Sequence, residues 1–401
     1  MDVNEFVLLA SPEAQALLKQ TEYDAKADVV ALVARMRAAG HDAALVAAVL
    51  TQAKLRRRAR AKFGDFASRM LFTESGLEQA SRLSVAALHA QRFRSAGVTR
   101  VADLGCGIGA EAMSFAALDL GVAAYEIDPV TAAVATYNLG PFDNAEVLSE
   151  DVTTLDLNQF EGLFFDPARR EAGSSAKSRG TRKFNPKEFS PPLDWVFENI
   201  GSHATGIKLG PGHPHDGIPE KAEAQWVSVD GDLVECSLWF NQLARPNVKR
   251  SALLIRSSAR FEITSPTQLA ETAALGALGE YLYEPDNSVI RSHLIDQLAE
   301  QTGTHLISSD IAYLTGSQEL DSPWLRGFRV LDDMAFDRKN LRAYLRERNV
   351  GTLEIKKRGS DVVPEQLRKE LAPKGENALT LIITRVADSH RALIAEPLTK
   401  P

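Results

Sequence analysis

Val101–Ala112, VADLGCGIGAEA, joins an apolar run to three glycines and then to a helix-forming segment. Val101-Ala102-Asp103-Leu104 reads as the end of a buried strand, and Ala110-Glu111-Ala112 reads as the first turn of a helix. Between them Gly105, Gly107 and Gly109 alternate with Cys106 and Ile108. Glycines at a strand-to-helix junction permit positive φ and let a ligand approach the backbone beside the helix N-terminus. The spacing is Gly-x-Gly-x-Gly, and the dinucleotide fingerprint Gly-x-Gly-x-x-Gly is not what stands here.

Downstream, the same rhythm repeats. Val98–Leu104, Val122–Ile127, Val147–Leu148, Leu163–Phe165 and Ile207–Leu209 are short apolar runs separated by helix-compatible segments. That alternation predicts a parallel sheet covered by helices, an α/β fold. Each strand end carries chemistry. Glu126 in AAYEIDP lies about 20 residues after the glycines, where a carboxylate accepts from ribose hydroxyls. Asp151 in LSEDVTTLD follows the third strand and is placed to reach an adenine amino group. Asp166 in FFDPARR follows the fourth. Four strand ends in order, each with an acid or a glycine turn, predict a nucleoside lying across the carboxyl edge of the sheet. In AQWVSVDGDLVECSLWF, Asp230-Gly231 separates two strand-like runs and predicts an antiparallel hairpin with a type I′ turn.

The flanks differ. Residues 1–95 read as a helical N-terminal region: Ser11-Pro12-Glu13 is a helix start, Leu45, Val49 and Leu55 share a helical face, and Ser75-Gly76-Leu77-Glu78 has capping-box spacing. Residues 96–245 hold the α/β domain, 246–324 a connecting α/β region, and 325–401 a small α+β module. In that module Asp337 is expected to cap one helix and Pro364 to start another.

The 401-residue chain is 44% hydrophobic and 25% charged, with no run near the ~18 apolar residues of a membrane span. Only Cys106 and Cys236 are present, without disulfide or metal-ligand spacing. A cytoplasmic, reduced protein with no membrane partner and no metal is expected. His213-Pro214-His215-Asp216 reads as a loop, not a metal site. Cys106 reads as a small packing residue within the glycine loop. The net charge is −7, yet cations gather in AKLRRRARAK (53–62), in residues 169–187 and in Lys356-Lys357-Arg358.

DLGCGIGAEA, YEIDP, SEDVTTLD, FFDPARR and the hairpin resemble class I S-adenosylmethionine-dependent methyltransferases over roughly residues 96–245. LFTESGLEQASR, IKLGPGHPHDGIP and GTLEIKKRGSDVVPEQLRKEL extend the likeness to bacterial methyltransferases with a THUMP-like C-terminal domain. A more distant similarity is to trimethylguanosine synthase-type enzymes, which act on an RNA cap. The resemblance implies a Rossmann-like seven-stranded sheet whose last strand is inserted antiparallel. It implies S-adenosyl-L-methionine as cofactor, with Asp103, Gly105 and Gly107 around its methionine part and Cys106 and Gly109 as further cofactor-binding residues of the loop. Glu126 would hold the ribose and Asp151 the adenine, with Ile127 and Val152 beside them as cofactor-binding residues.

Asp166 and Pro167 match the start of the Asp/Asn-Pro-Pro-aromatic motif of amine-modifying methyltransferases. Ala168 replaces its second proline and Arg169 its aromatic. Arg169 is suited to stack on a base or hold a phosphate. Asp166, Pro167 and Arg169 are therefore the expected acceptor-side residues. Arg170, Lys177, Arg179, Arg182 and Lys183 form an expected cationic substrate loop. RNA methylation is the expected function, with RNA as partner. The alternatives are a methyltransferase of a small molecule or protein, and a non-catalytic protein that binds the cofactor and RNA.

Overall fold

The structure, a computed structural model, describes residues 1–21, 23, 28–169, 188–257, 259–269, 271–387 and 389–398. It divides into two compact units, Met1–Leu209 with Leu238–Arg245, and Gly210–Ser237 with Pro246–Pro401.

The first unit begins with helices α1 (Val3–Ala10), α2 (Pro12–Gln20), α3 (Val29–Ala38) and α4 (Ala43–Phe63). Ser11 caps α2 through Ala14 N, with Pro12 at its first position, as its sequence predicts. Helix α5 (Glu74–Gln79) is capped by Thr73, whose Oγ1 accepts from Gly76 N at 3.0 Å. The start at Ser75 is thereby corrected: the chain offers two capping hydroxyls two residues apart, and the one preceding Glu74 closes the first turn. Helix α6 (Leu83–Ser95) leads into the sheet.

Strands and helices then alternate as β1 (Arg100–Leu104), α7 (Ala110–Ala117), β2 (Gly121–Tyr125), α8 (Pro129–Leu139), β3 (Ala145–Leu148) and β4 (Gly162–Phe165). Two-residue strands β5 (Ala168–Arg169) and β6 (Phe189–Ser190) pair antiparallel, and α9 (Leu193–Glu198) precedes β7 (Ala204–Leu209). The long strands order as β3-β2-β1-β4-β7, all parallel. Register aligns their carboxyl ends: Leu104 faces Tyr125 and Phe165, Tyr125 faces Leu148, and Phe165 faces Ile207. The residues just beyond these positions therefore share one edge. Phe93, Phe115, Phe164 and Trp239 pack in edge-on contacts within the core, with the Arg92 guanidinium over Trp239.

In this unit the N-terminal helices are tied to the segment leading to α5 by buried polar clamps. Gln52 on α4 donates to Phe72 O and accepts from Phe72 N, and Arg56 Nε donates to Met70 O. Asn138 on α8 holds Leu71 from the other side, accepting from its N–H and donating to its carbonyl. Burying such groups is tolerated because each finds its partner.

The second unit carries β8 (Glu223–Val229) and most of β9 (Asp232–Phe240), whose last residues belong to the first unit. Asp230 and Gly231 between them both have positive φ, 52° and 91°, as a type I′ turn requires. Strand β10 (Arg250–Arg256) pairs parallel with β8, and β11 (Ala259–Ser265) antiparallel with β10, so the strands exceed the seven that the resemblance implies. There follow β12 (Tyr281–Pro285), α10 (Asn287–Arg291), α11 (Ile295–Thr302), β13 (His305–Ser308) and β14 (Ile311–Gly316). The chain ends with β15 (Leu325–Ala335), α12 (Arg338–Glu347), β16 (Val350–Lys357), α13 (Pro364–Leu371), β17 (Asn377–Val386) and β18 (Ser389–Pro397). Asp337 caps α12 and Pro364 opens α13, as expected. His215 stacks on His293 and Trp226, and its ring nitrogen lies 2.8 Å from Arg291 O, so it serves as a packing and bonding group of the loop.

Candidate active site

A cavity of about 360 Å³ opens at the carboxyl ends of the strands in the first unit. Its floor is the glycine loop. Gly105 and Cys106 both donate to Tyr125 O, at 3.0 and 2.9 Å, which folds the loop back over β2. Gly105 has φ +96°, and a Cβ there would lie 3.0 Å from Asp166 O. Only glycine gives both the turn and the close approach. Gly109, at φ +89°, is the cap from which α7 starts.

Glu126 is bonded into this loop as well as facing the cavity. Its carboxylate accepts from Gly107 N and from Asp128 N, each at 3.0 Å. Burial raises its pKa, and these two amides oppose the rise. Ile127 lines the cavity while 58% exposed, a flat apolar wall open to a ligand. Asp151 and Val152 line it from the next loop, where Asp151 Oδ1 accepts from Thr153 N and Oγ1. Cys106 is buried, and burial pushes its thiol pKa far up, so it is a packing group and not a nucleophile.

Asp103 is fully buried at the end of β1 and also lines the cavity. Among the described residues neither of its carboxylate oxygens meets the geometry of a hydrogen bond. Burial, then the charges of Glu111 and Asp166, hold its pKa well above the usual carboxylate range, although the Ala112 amide lies near enough to oppose the rise slightly. Glu111 on α7 repeats the pattern. One oxygen lies 3.1 Å from His89 Nδ1, while the other, Oε1, is buried without a partner among the described residues. Two acids with three unsatisfied buried oxygens at one cavity are costly unless a cation completes them.

Asp166 stands at the lip. Its N–H donates to Leu104 O, and its Oδ2 accepts from Lys208 Nζ at 2.5 Å. Lys208 also donates to Gln79 O at the end of α5 and is only 12% exposed. Pro167 is buried behind Asp166, and Ala168 lines the cavity opposite Ser190, Pro191 and Pro192. The Arg169 backbone lies in β5; its side chain, and Arg170, Lys177, Arg179, Arg182 and Lys183, lie outside the described residues.

Two proteins from separate strains of Mycobacterium tuberculosis, each described as an uncharacterized S-adenosylmethionine-dependent methyltransferase, are 30% identical to this chain over 356 residues. The match covers 86% of this chain and 95% of each relative. The chain belongs to the S-adenosylmethionine-dependent methyltransferases. A THUMP domain-like family matches residues 325–397 of this methyltransferase, and a domain of unknown function matches residues 2–59. In fold it resembles the crystal structure of a candidate methyltransferase from Porphyromonas gingivalis W83, with a TM-score of 0.72 and 17% identity over all of both chains.

S-adenosyl-L-methionine fits what the cavity lacks. Its ammonium and sulfonium would supply cations to the unpartnered Asp103 and Glu111 oxygens, and Glu126, Ile127 and Val152 form an acid-and-apolar edge suited to its adenosine. Sequence reasoning placed the glycine loop, Glu126, Asp151 and Asp166 around one cavity, and the structure brings them together there. It missed Lys208, whose signal was a single cation inside the apolar run Ile207–Leu209. It also missed Glu111, which reads as an ordinary first-turn acid. Among the described residues there is no cluster of three or more metal-ligating side chains, and no helix long and apolar enough to cross a membrane.

Proposed function

We propose that this methyltransferase modifies a base in RNA and that Asp166 orients the acceptor. The observation that carries the reading is the fixed Asp166 carboxylate at the lip of the cavity, held by Lys208 beside the glycine loop. The THUMP domain-like match at 325–397 and the cationic composition of residues 169–187 support RNA as the acceptor.

Bound cofactor supplies a methyl group already activated on a sulfonium, so the protein's work is alignment. Asp103, Gly105, Cys106, Gly107 and Gly109 would surround the methionine part. Glu126 and Ile127 would meet the ribose, and Asp151 and Val152 the adenine. Asp166 would accept an N–H from the acceptor base and turn its lone pair toward the methyl, with Lys208 fixing the carboxylate and Pro167 the backbone. Arg169 would contact the base or its phosphate, and Arg170, Lys177, Arg179, Arg182 and Lys183 would hold flanking phosphates.

The test incubates the full chain with methyl-labelled cofactor and total RNA from cells lacking the gene. Label should enter RNA and disappear with Asp166→Ala, and mass spectrometry of nucleosides then names the base. Label appearing only in protein or small molecules would overturn the RNA reading.

A further inference from the structure

The arginine-rich stretch 53–62 does two jobs on two faces of α4. Arg58 and Lys62, four apart, face α5: Arg58 pairs with Glu74 and Glu78, and Lys62 donates to Leu77 O, Glu78 O and Ala80 O. Arg56, Arg57 and Arg60 face the other way and line a separate cavity of about 640 Å³, joined there by Lys19 from α2 and by Arg69. No carboxylate lines this cavity among the described residues.

The group is built, not merely exposed. Arg56 is only 8% exposed, with Nε donating to Met70 O and Nη2 to Gln15 Oε1, so one guanidinium is fixed in the wall. Lys19, Arg60 and Arg69 are exposed and make no ion pair among the described residues. Half-buried Tyr23 adds an aromatic surface. Lys19, Arg56, Arg60 and Arg69 converge as four like charges, and in a chain of net charge −7 their concentration in one concavity focuses a positive field on an anion. The volume lies within the range of about 300–1,000 Å³ typical of ligand pockets.

We propose that this cavity is a second RNA-binding site, a groove that holds the phosphodiester backbone of a single strand away from the methyl-transfer cavity. It rests on the reading of RNA as substrate. Guanidinium forks on phosphates supply affinity without sequence preference, and Tyr23 offers a stacking platform for one base.

The test is fluorescence anisotropy of a labelled single-stranded RNA against the full chain from 50 to 200 mM salt. Replacing three phosphate-binding cations in Lys19→Gln/Arg60→Gln/Arg69→Gln should weaken binding roughly 50-fold at 0.15 M salt and flatten the log–log salt slope by about 2. A charge-matched control on exposed positions outside the groove, Arg37→Gln/Arg94→Gln/Arg100→Gln, should stay within about 3-fold of the parent. Cofactor titration that is unchanged in both variants confirms that they are folded. If the groove variant keeps the parent's affinity and slope, or the control weakens as much, the groove is overturned while RNA as substrate stands. If the parent shows no salt-dependent RNA binding, both fall together.

Discussion

Lys208 and Asp166 meet across adjacent parallel strands, the lysine ammonium donating to Asp166 Oδ2 at 2.5 Å and to Gln79 O at 3.1 Å. Their meeting follows from register. Phe165 lies opposite Ile207, so the next residue on each strand emerges at the same level of the sheet edge. A third element, α5, is drawn into the contact through Gln79. Asp166 is thus fixed by a strand and by a helix that its own loop does not contain.

Lys208→Met should therefore impair transfer more than cofactor binding. Losing the ammonium lets the Asp166 carboxylate rotate, and a misplacement of about 1 Å costs on the order of 100-fold in rate. The pair is partly buried, so stability should fall by about 1–3 kcal/mol, between the surface and buried limits. Single-turnover rates at saturating cofactor and urea unfolding measure the two effects. A rate equal to the parent's would remove Lys208 from the site.

Asp103 gives a prediction in pH. Its folded pKa is raised by burial, so the folded protein holds this proton where the unfolded chain has released it. The group's contribution to stability is complete below its ordinary value of 3.8 and is lost as pH rises through the raised folded value. Asp103→Asn should leave the cofactor-free protein as stable as the parent or more so at neutral pH, and should flatten that part of the pH profile. The same change removes a carboxylate that a bound cation would satisfy, so cofactor should raise the variant's melting temperature less than the parent's. Thermal melts across pH, with and without cofactor, separate the two; an equal cofactor shift in both proteins would refute the assignment.

What was legible in the sequence was what local pattern encodes. Apolar runs located β1, β2, β3, β4 and β7 to within a few residues, and Asp230-Gly231 disclosed its turn because both central residues need positive φ. Glu126, Asp151 and Asp166 were legible because each follows a strand whose carboxyl end faces the cavity. Lys208 was not, because a lysine at a strand end is ordinary until the β4–β7 register sets it beside an acid. Nor was the second role of Glu126, since its bond to Gly107 N spans 19 residues of chain. Residues 250–265 read only as a connection, because β10 finds its parallel partner β8 at long range.

Gly105→Ala tests the close approach of the glycine loop to Asp166 at the cavity floor. At φ +96° any side chain strains the backbone, at about 1–2 kcal/mol, and here the new Cβ would also press on Asp166 O at 3.0 Å. Relief requires the loop or Asp166 to shift. Cofactor affinity and transfer rate should both fall, with stability lowered by a similar 1–2 kcal/mol, about the strain itself. Calorimetric titration showing cofactor affinity equal to the parent's would mean that the loop does not approach the ligand.

Lys62 connects the N-terminal helices to the same wall. It satisfies three carbonyls at the end of α5, the helix whose Gly76 and Gln79 line the cavity. Burial lowers its pKa from 10.5 to about 8. Between those values the unfolded chain binds the proton and the folded chain does not, so this group adds stability as pH rises from about 8 toward 10.5. Lys62→Met should erase that rise. It should also leave three carbonyls without their donor, a loss partly offset by relief of the buried charge, so the net cost at pH 7 should stay below about 2 kcal/mol. With the helix end released, hydrogen exchange at Ala80 N, which bonds Gly76 O, should accelerate, and the Gln79 carbonyl should no longer hold Lys208 in place. Slower transfer with faster exchange in α5 and unaltered exchange in β2 would establish that α4 positions the active site. Accelerated exchange in both elements would instead mean that the substitution loosens the whole unit.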